Sequence, residues 1–353
     1  MKRWWMVICV VGCLRPSEDA AKLDDEVGIA ASALLQVEET DGLASVRAID
    51  DASVELWAAS PVLHLRVIAE TEGVRRFTVD NAMPGAVPDV AHTLLPSERG
   101  TQLVFDAELS AGEQRIRIAP PDADLEEPWR FGVLSDIQEA IGRVGEIFMR
   151  MNDEPEMRFV ISSGDLTSSG TRGQLERFQD ELELLDVPFF STTGNHEASG
   201  DELDWHELFG PFSSSFAFRG VSFSLVDSSG GTIDPRVYNT LDEWLDGSAD
   251  RVHVFTTHYA LFDPAGLRNG SFKSRNEAAR LANRLAAHDV DVLFFGHVHS
   301  YYAFSIAEIP SYISGGGGAI EERLDGIQRH FLRVDVDPAV GIENVALVRV
   351  DNP

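Results

Sequence analysis

The sequence predicts an α/β fold of layered sheets with helices on its outer faces, preceded by a small all-β domain. Three observations carry this. From residue 129 onward, buried apolar strands alternate with amphipathic helices, which implies a layered α/β fold. Between about 31 and 120 there are only short β-rich runs separated by turn residues. Between them lies "APPDADLEEPW", residues 119–129, whose prolines and acids read as an interdomain linker. A chain of 353 residues is long enough for two such domains.

The chain opens on "MKRWWMVICVVGCLRPSEDA". Lys2 and Arg3, an apolar run from Trp4 to Val11 and small Gly12 follow the plan of a secretory signal peptide, residues 1–12. That run is too short to span a bilayer, which takes about 20 residues. "VVGC" resembles a bacterial lipobox, in which the chain is cut before the cysteine and Cys13 is acylated. The expectation is an exported lipoprotein, periplasmic or on the cell surface of a bacterium, with a lipid anchor as its one membrane contact. An ordinary signal peptide cut near Ala20 is the alternative. Cys9 and Cys13 are the two cysteines of the chain, so cutting before Cys13 leaves no second thiol. Acidic residues 13–30 read as a tether.

The runs "SVELWAA", "VLHLRVIAE", "VRRFTVDNA", "TQLVFDAEL" and "QRIRIAP" predict a small antiparallel sandwich over 31–120, immunoglobulin- or fibronectin-like. Its His64 and His92 stand alone and read as structural or surface residues. The linker is then 121–128 and the second domain 129–353. In that domain "RFGVLSD", "MRFVISSGD", "VPFFSTTGNHE", "RVHVFTTHY" and "VDVLFFGHVHS" read as buried strands. Helical stretches "EAIGRVGEIFMRMN", "QLERFQDELELLD", "DELDWHELF" and "RNEAARLANRLAAHD" fall between them, and "SSFAFRGVSFSLVDSS" is a hairpin turning at Arg219-Gly220. "RHFLRVDVD" and "NVALVRVD" close the chain as strands.

The formal net charge is −29. That excludes a nucleic-acid binder, which needs a basic footprint, and docking on anionic lipid through charge. It favours attraction of cations.

Five strand tips hold the residues of interest: Asp136; Gly164-Asp165; Gly194-Asn195-His196-Glu197; His258; and Gly296-His297-Val298-His299. Ligands of α/β sheets bind at the carboxyl ends of strands. One such tip is an ordinary polar strand end. Five in this order gather carboxylates, an amide and imidazoles, the donor set of divalent first-row metals.

The order Asp, "GD", "GNHE", a lone His and "GHVH" resembles the calcineurin-like metallophosphoesterase family over about 129–330. The resemblance implies two divalent cations, of manganese, iron, zinc or magnesium, and a hydrolase of phosphomonoesters or phosphodiesters that uses a metal-activated hydroxide. Asp165 would bridge the cations, with Asp136 and His299 on the first and Asn195, His258 and His297 on the second. His196 would be catalytic, contacting phosphate or protonating the leaving oxygen. Most family members have a histidine where this chain has Gln138, so Gln138 is either a weaker ligand of the first metal or a bystander facing solvent or the loop. Purple acid phosphatases, which share a preceding β-sandwich, carry a tyrosine where Ser168 stands, so a tyrosinate-iron site is not expected. A degenerate, non-catalytic protein that binds metal or phosphate is the competing reading, and Gln138 is its support.

Arg268, Lys273 and Arg275 form a basic loop that either binds the substrate's phosphate or is a solvated surface. "SGGGG", 314–318, reads as a flexible turn more readily than as a backbone nest for the substrate. His206, His253, His288 and His330 read as structural. The oligomeric state is not legible.

Overall fold

The computed structural model describes residues 21–249, 251–266, 270–322 and 326–350. Cys13 and Arg268 lie outside the described residues.

The first ten strands form two five-stranded sheets. One runs β1 (Ile29–Ala31), β2 (Leu35–Glu39), β5 (Leu63–Ala69), β10 (Gly112–Ala119), β7 (Val87–Pro88). The other runs β3 (Ala44–Ile49), β4 (Ser53–Ala58), β6 (Gly73–Asp80), β9 (Gln102–Leu109), β8 (His92–Leu95). Alternation builds the core between them: β5 and β9 bury every second residue, and Leu65, Val67, Phe77, Val79 and Phe105 meet inside. The sequence predicts an antiparallel sandwich, and one pairing departs from it. β4 and β6 pair in parallel, Val54 opposite Phe77. The intervening β5 belongs to the other sheet, so the chain crosses over and returns in the same direction. The sequence reading also passed over β3 and the shorter β1, β2, β7 and β8.

The second half is a sandwich of two mixed sheets. One orders β13 (Phe189–Ser191), β12 (Met157–Ser162), β11 (Trp129–Val133), β20 (His330–Asp337), β21 (Gly341–Arg349). The other orders β14 (Ser214–Phe218), β15 (Val221–Val226), β16 (Val252–Thr257), β17 (Val292–Phe295), β19 (Ile309–Ser314), β18 (Tyr301–Ile306). Their inner faces interlock through aromatics: Phe131 meets Phe223 edge-on at 5.2 Å, and Trp129 meets Phe218 at 5.2 Å. Each fully buried aromatic contributes about 1.5–3 kcal/mol. This stiff layer anchors the strands whose tips form the site.

Helices cover the outer faces. α1 (Ile141–Asn152) buries Ile141, Val144, Ile147, Phe148 and Met151 at helical spacing. It packs with α2 (Arg172–Glu181) and α3 (Glu202–Phe209) beside the first sheet. α4 (Pro235–Gly247) and α5 (Arg275–Ala287) cover the second. The sequence reading missed α4. Its start is nonetheless marked: Asp234 caps the Arg236 amide and Pro235 takes the first helical position.

The two sandwiches are joined by specific polar contacts. The Asn81 amide bonds both backbone groups of Phe189, donating to its carbonyl at 2.9 Å and accepting from its N–H at 2.9 Å. It thereby completes the edge strand β13. Trp57 packs edge-on to Phe209 at 5.8 Å. The described part of the expected 13–30 tether is packed as well. Ala21 and Val27 are buried, and the Asp24 carboxylate accepts from Phe212 N at 2.8 Å and Ser213 N at 3.1 Å.

Candidate metal centre

Five strand tips of the second sandwich deliver the site. Asp136 follows β11, Asp165 follows β12, Asn195 and His196 follow β13, His258 follows β16, and His297 and His299 follow β17. Asp136, Gln138, Asp165 and His297 all sit in left-handed backbone, with φ of 61°, 49°, 55° and 67°. L residues avoid this region, at a cost of order 1–3 kcal/mol each, so the surrounding structure must hold these loops.

It does so with hydrogen bonds. The loop after β11 lies along the loop after β12: Asp136 N bonds Gly164 O at 3.1 Å, Ile137 N bonds Asp165 O at 2.8 Å, and Gln138 N bonds the same oxygen at 3.2 Å. Glu197 fastens the next pair of loops. Its buried carboxylate accepts from Asp165 N (2.8 Å), Gly194 N (3.0 Å), Thr167 N (2.9 Å) and Thr167 Oγ1 (2.8 Å). Burial, then the neighbouring Asp165, raises the Glu197 pKa. A Cβ on Gly194 would sit 2.1 Å from Asp165 Oδ1, so only glycine fits there.

"SGGGG" is close-packed rather than a free turn. A Cβ on Gly315 would meet Val298 O at 2.2 Å, and one on Gly317 would meet Ser135 O at 2.5 Å. Gly317 N bonds Ser135 O at 2.8 Å and Ala319 N bonds Asp136 O at 3.0 Å. The glycines let this segment press directly behind the loops of Asp136 and His299. Composition alone suggested flexibility, but these glycines serve close packing.

Two donor groups result, and they share one carboxylate. Ligand-capable atoms of Asp136, Asp165 and His299 lie within 4.8 Å of one another, and so do those of Asp165, His258 and His297. Asn195 Oδ1 is 3.0 Å from His258 Nε2. Gln138 is buried and belongs to the first group: its Nε2 is 2.9 Å from Asp165 Oδ2 and 3.1 Å from His299 Nε2. It is not turned to solvent.

The histidines are oriented from behind. His258 Nδ1 bonds Ser163 O at 3.0 Å and His299 Nδ1 bonds Ile320 O at 2.7 Å, which directs each Nε2 inward. His196 Nδ1 bonds Ser168 O at 2.6 Å and its Nε2 lies 3.8 Å from Asp165 Oδ2. Tyr259 packs on the His297 ring, centroids 4.2 Å apart. Ser135 Oγ donates to Asp136 Oδ2 at 2.6 Å, and His297 N donates to the same carboxylate at 3.0 Å.

Asp136 and Asp165 are essentially without solvent exposure. Burial raises the pKa of Asp136. Burial also opposes ionisation of Asp165, but His258 and His196 outweigh it and hold that carboxyl below the usual range. In return His258 is pushed up to about 9: burial opposes the shift, and Asp165, Asp136 and Glu197 overcome it. The basic side chains that flank these two carboxylates within 4 Å are histidines: His196 and His258 at Asp165, and His299 at Asp136. Buried carboxylates with so little cationic support suit a bound metal. The donors, oxygen and imidazole nitrogen, fit divalent first-row cations.

Lys273 and Arg275 are exposed; the Lys273 stem lies against Gly231, and Arg275 opens α5. A third potential ligand group, Glu39, Asp41 and His64, lies in the first sandwich. There Glu39 already accepts from the Leu43, His64 and Asp41 amides, so its role is to shape a loop. Residues that sequence reasoning did not assign are Glu197, Tyr259 and Ser135. Glu197 and Tyr259 each directly follow a candidate site histidine, and that adjacency was the available signal.

The strand-tip donor groups on a two-sheet α/β sandwich can next be set beside known proteins. Residues 130–301 match the family model described as calcineurin-like phosphoesterase. Over 161 residues the chain is 28% identical to the probable glycerophosphodiester phosphodiesterase GpdQ of Arcobacter nitrofigilis, covering 42% of this chain and 59% of that protein. The chain thus spans less than two thirds of that relative. Purple acid phosphatase PPD1 from yellow lupin seeds superimposes with a TM-score of 0.57 at 13% identity, covering 83% of this chain and 70% of that one. GAP50, the anchor in the inner membrane complex of Plasmodium, gives 0.51 at 15% identity, covering 64% and 86%. These two likenesses show the fold. The likeness to the calcineurin-like phosphoesterase family is carried by the second sandwich, over residues 130–301.

Proposed function

We propose that this chain hydrolyses phosphate esters at a dinuclear metal centre, with diesters as its preferred substrates. The observation that carries this reading is the pair of donor groups sharing Asp165. Asp136, Gln138, His299 and Asp165 would hold one cation; Asp165, Asn195, His258 and His297 would hold the other. Cations bound there would supply positive charge against the phosphoryl oxygens and acidify a water. Manganese, iron, zinc and magnesium all suit the set.

The chain's own residues do the remaining work. His196 is fixed through Nδ1 to Ser168 O, which leaves Nε2 at the partly exposed mouth, in position to protonate the departing alkoxide. Tyr259 steadies the His297 ring. Glu197 keeps Asp165 at its strained φ. The preference for diesters rests on the relative named as a probable phosphodiesterase.

The test is hydrolysis of a chromogenic phosphodiester and phosphomonoester by chelator-stripped protein. The diester should be cleaved faster, with activity lost in chelator and restored by manganese. Inactivity on both substrates with every one of the four metals would sink the proposal.

We also propose export and lipid anchoring through Cys13, supported by the sequence of residues 1–13. Among the described residues, no helix is long and apolar enough to cross a membrane. Cys13→Ser should release the protein from the membrane fraction or leave it unprocessed. An unchanged distribution contradicts the anchor.

A further inference from the structure

We infer that Gln138 is a cation-selectivity residue that works through both ends of its amide. The inference rests on the dinuclear reading above. It starts from three observations. First, Gln138 is buried and its backbone is fixed: the N–H bonds Asp165 O, and a φ of 49° opens a 3-10 turn over Gln138–Ala140. The side chain therefore has little freedom beyond its terminal torsion. Second, Nε2 donates to Asp165 Oδ2 at 2.9 Å. Third, it also reaches His299 Nε2 at 3.1 Å. The tautomer of His299 makes this second contact a hydrogen bond. Nδ1 donates to Ile320 O, and in the neutral ring the lone pair of Nε2 then faces the amide.

One NH2 group thus ties together two residues of the first donor group. A single imidazole nitrogen has one N–H at most and cannot donate to both. The amide's other end is a carbonyl oxygen, and half a turn about the last torsion exchanges the two. The same side chain therefore has two functions. With no cation at the first position, its NH2 holds Asp165 and His299 together. With a cation there, its oxygen is a neutral, hard donor. Uptake requires the two N–H bonds to break, which weakens the first position. An oxygen donor in place of an imidazole shifts preference away from zinc, which favours nitrogen, and toward manganese or magnesium. The first position should fill and empty with cation supply while the second stays loaded.

The test uses the full chain with manganese and zinc as probes, measured by equilibrium dialysis with elemental analysis, and thermal unfolding in chelator as a readout independent of activity. Wild type should bind two manganese ions, one step at least about tenfold weaker than the other. Gln138→His should tighten the weak step by about tenfold or more, more for zinc than for manganese, and leave the tight step unchanged. Gln138→Ala should weaken the weak step further and lower the unfolding temperature in chelator, since two hydrogen bonds are lost. If both variants match wild type in both steps and in chelator, the inference is overturned while the dinuclear reading stands. Tighter manganese binding by Gln138→Ala overturns it too, because the amide would then only obstruct. No manganese bound by wild type removes the dinuclear reading itself, and the inference with it.

Discussion

The two halves of the centre share Asp165 but are built on different terms. The first half, Asp136, Gln138 and His299, is wholly buried and combines a second carboxylate with a neutral amide. The second half has one deep residue, His258, while Asn195 and His297 reach the partly exposed mouth. Its donors are two imidazoles and an amide, with no carboxylate of its own. The difference teaches that depth and affinity need not go together. The buried half has more charge, but also a side chain that hydrogen-bonds across it. The open half has His258 held from behind by Ser163 O and His297 packed against Tyr259, beside His196, the histidine placed for proton transfer.

The largest effect should come from the shared residue. Asp165→Asn should remove manganese from both halves and cut diester hydrolysis on the order of a thousandfold, while circular dichroism stays that of wild type. Loss from one half alone would show that the carboxylate is not shared. Next, His297→Ala should leave about one manganese per chain and lower hydrolysis on the order of a hundredfold. Retention of both ions in elemental analysis would detach His297 from the second half.

A smaller effect separates the halves without touching a donor. Ser135→Ala removes the hydroxyl that bonds Asp136 Oδ2. Manganese affinity of the first half should fall about 10–100-fold, with the second unchanged, as titration would reveal. Equal weakening of both halves would mean that Ser135 supports the whole loop rather than Asp136. The smallest effect on chemistry should come from Glu197→Gln. The new NH2 faces backbone donors, at about 1–3 kcal/mol for each group left unpaired. A lower unfolding temperature should accompany a modest loss of activity. An unchanged temperature would show that the four hydrogen bonds to Glu197 do not hold the loops.

Much of this was legible in the sequence, for physical reasons that differ between elements. The tips of β11, β12, β13, β16 and β17 could be read because a buried strand that ends in a charged residue breaks its own pattern. The helix α1 could be read because its apolar spacing is regular. α4 escaped because its marks, Asp234 and Pro235, lie in a polar stretch with little apolar run to draw attention. The parallel pairing of β4 with β6 escaped because strand direction is set by which sheet β5 joins, and no local residue encodes that. "SGGGG" misled because glycine serves both loose turns and the tightest packing. What Gln138 touches depends on a side chain 161 positions away, His299, and no spacing rule reaches so far.

The central claim is that one carboxylate joins two metal positions. It is tested most directly by counting manganese bound per chain in wild type and in Asp165→Asn, each confirmed folded. The account predicts two ions in wild type and fewer than one in the variant. A wild type that binds none, or a variant that binds as many as wild type, would contradict it.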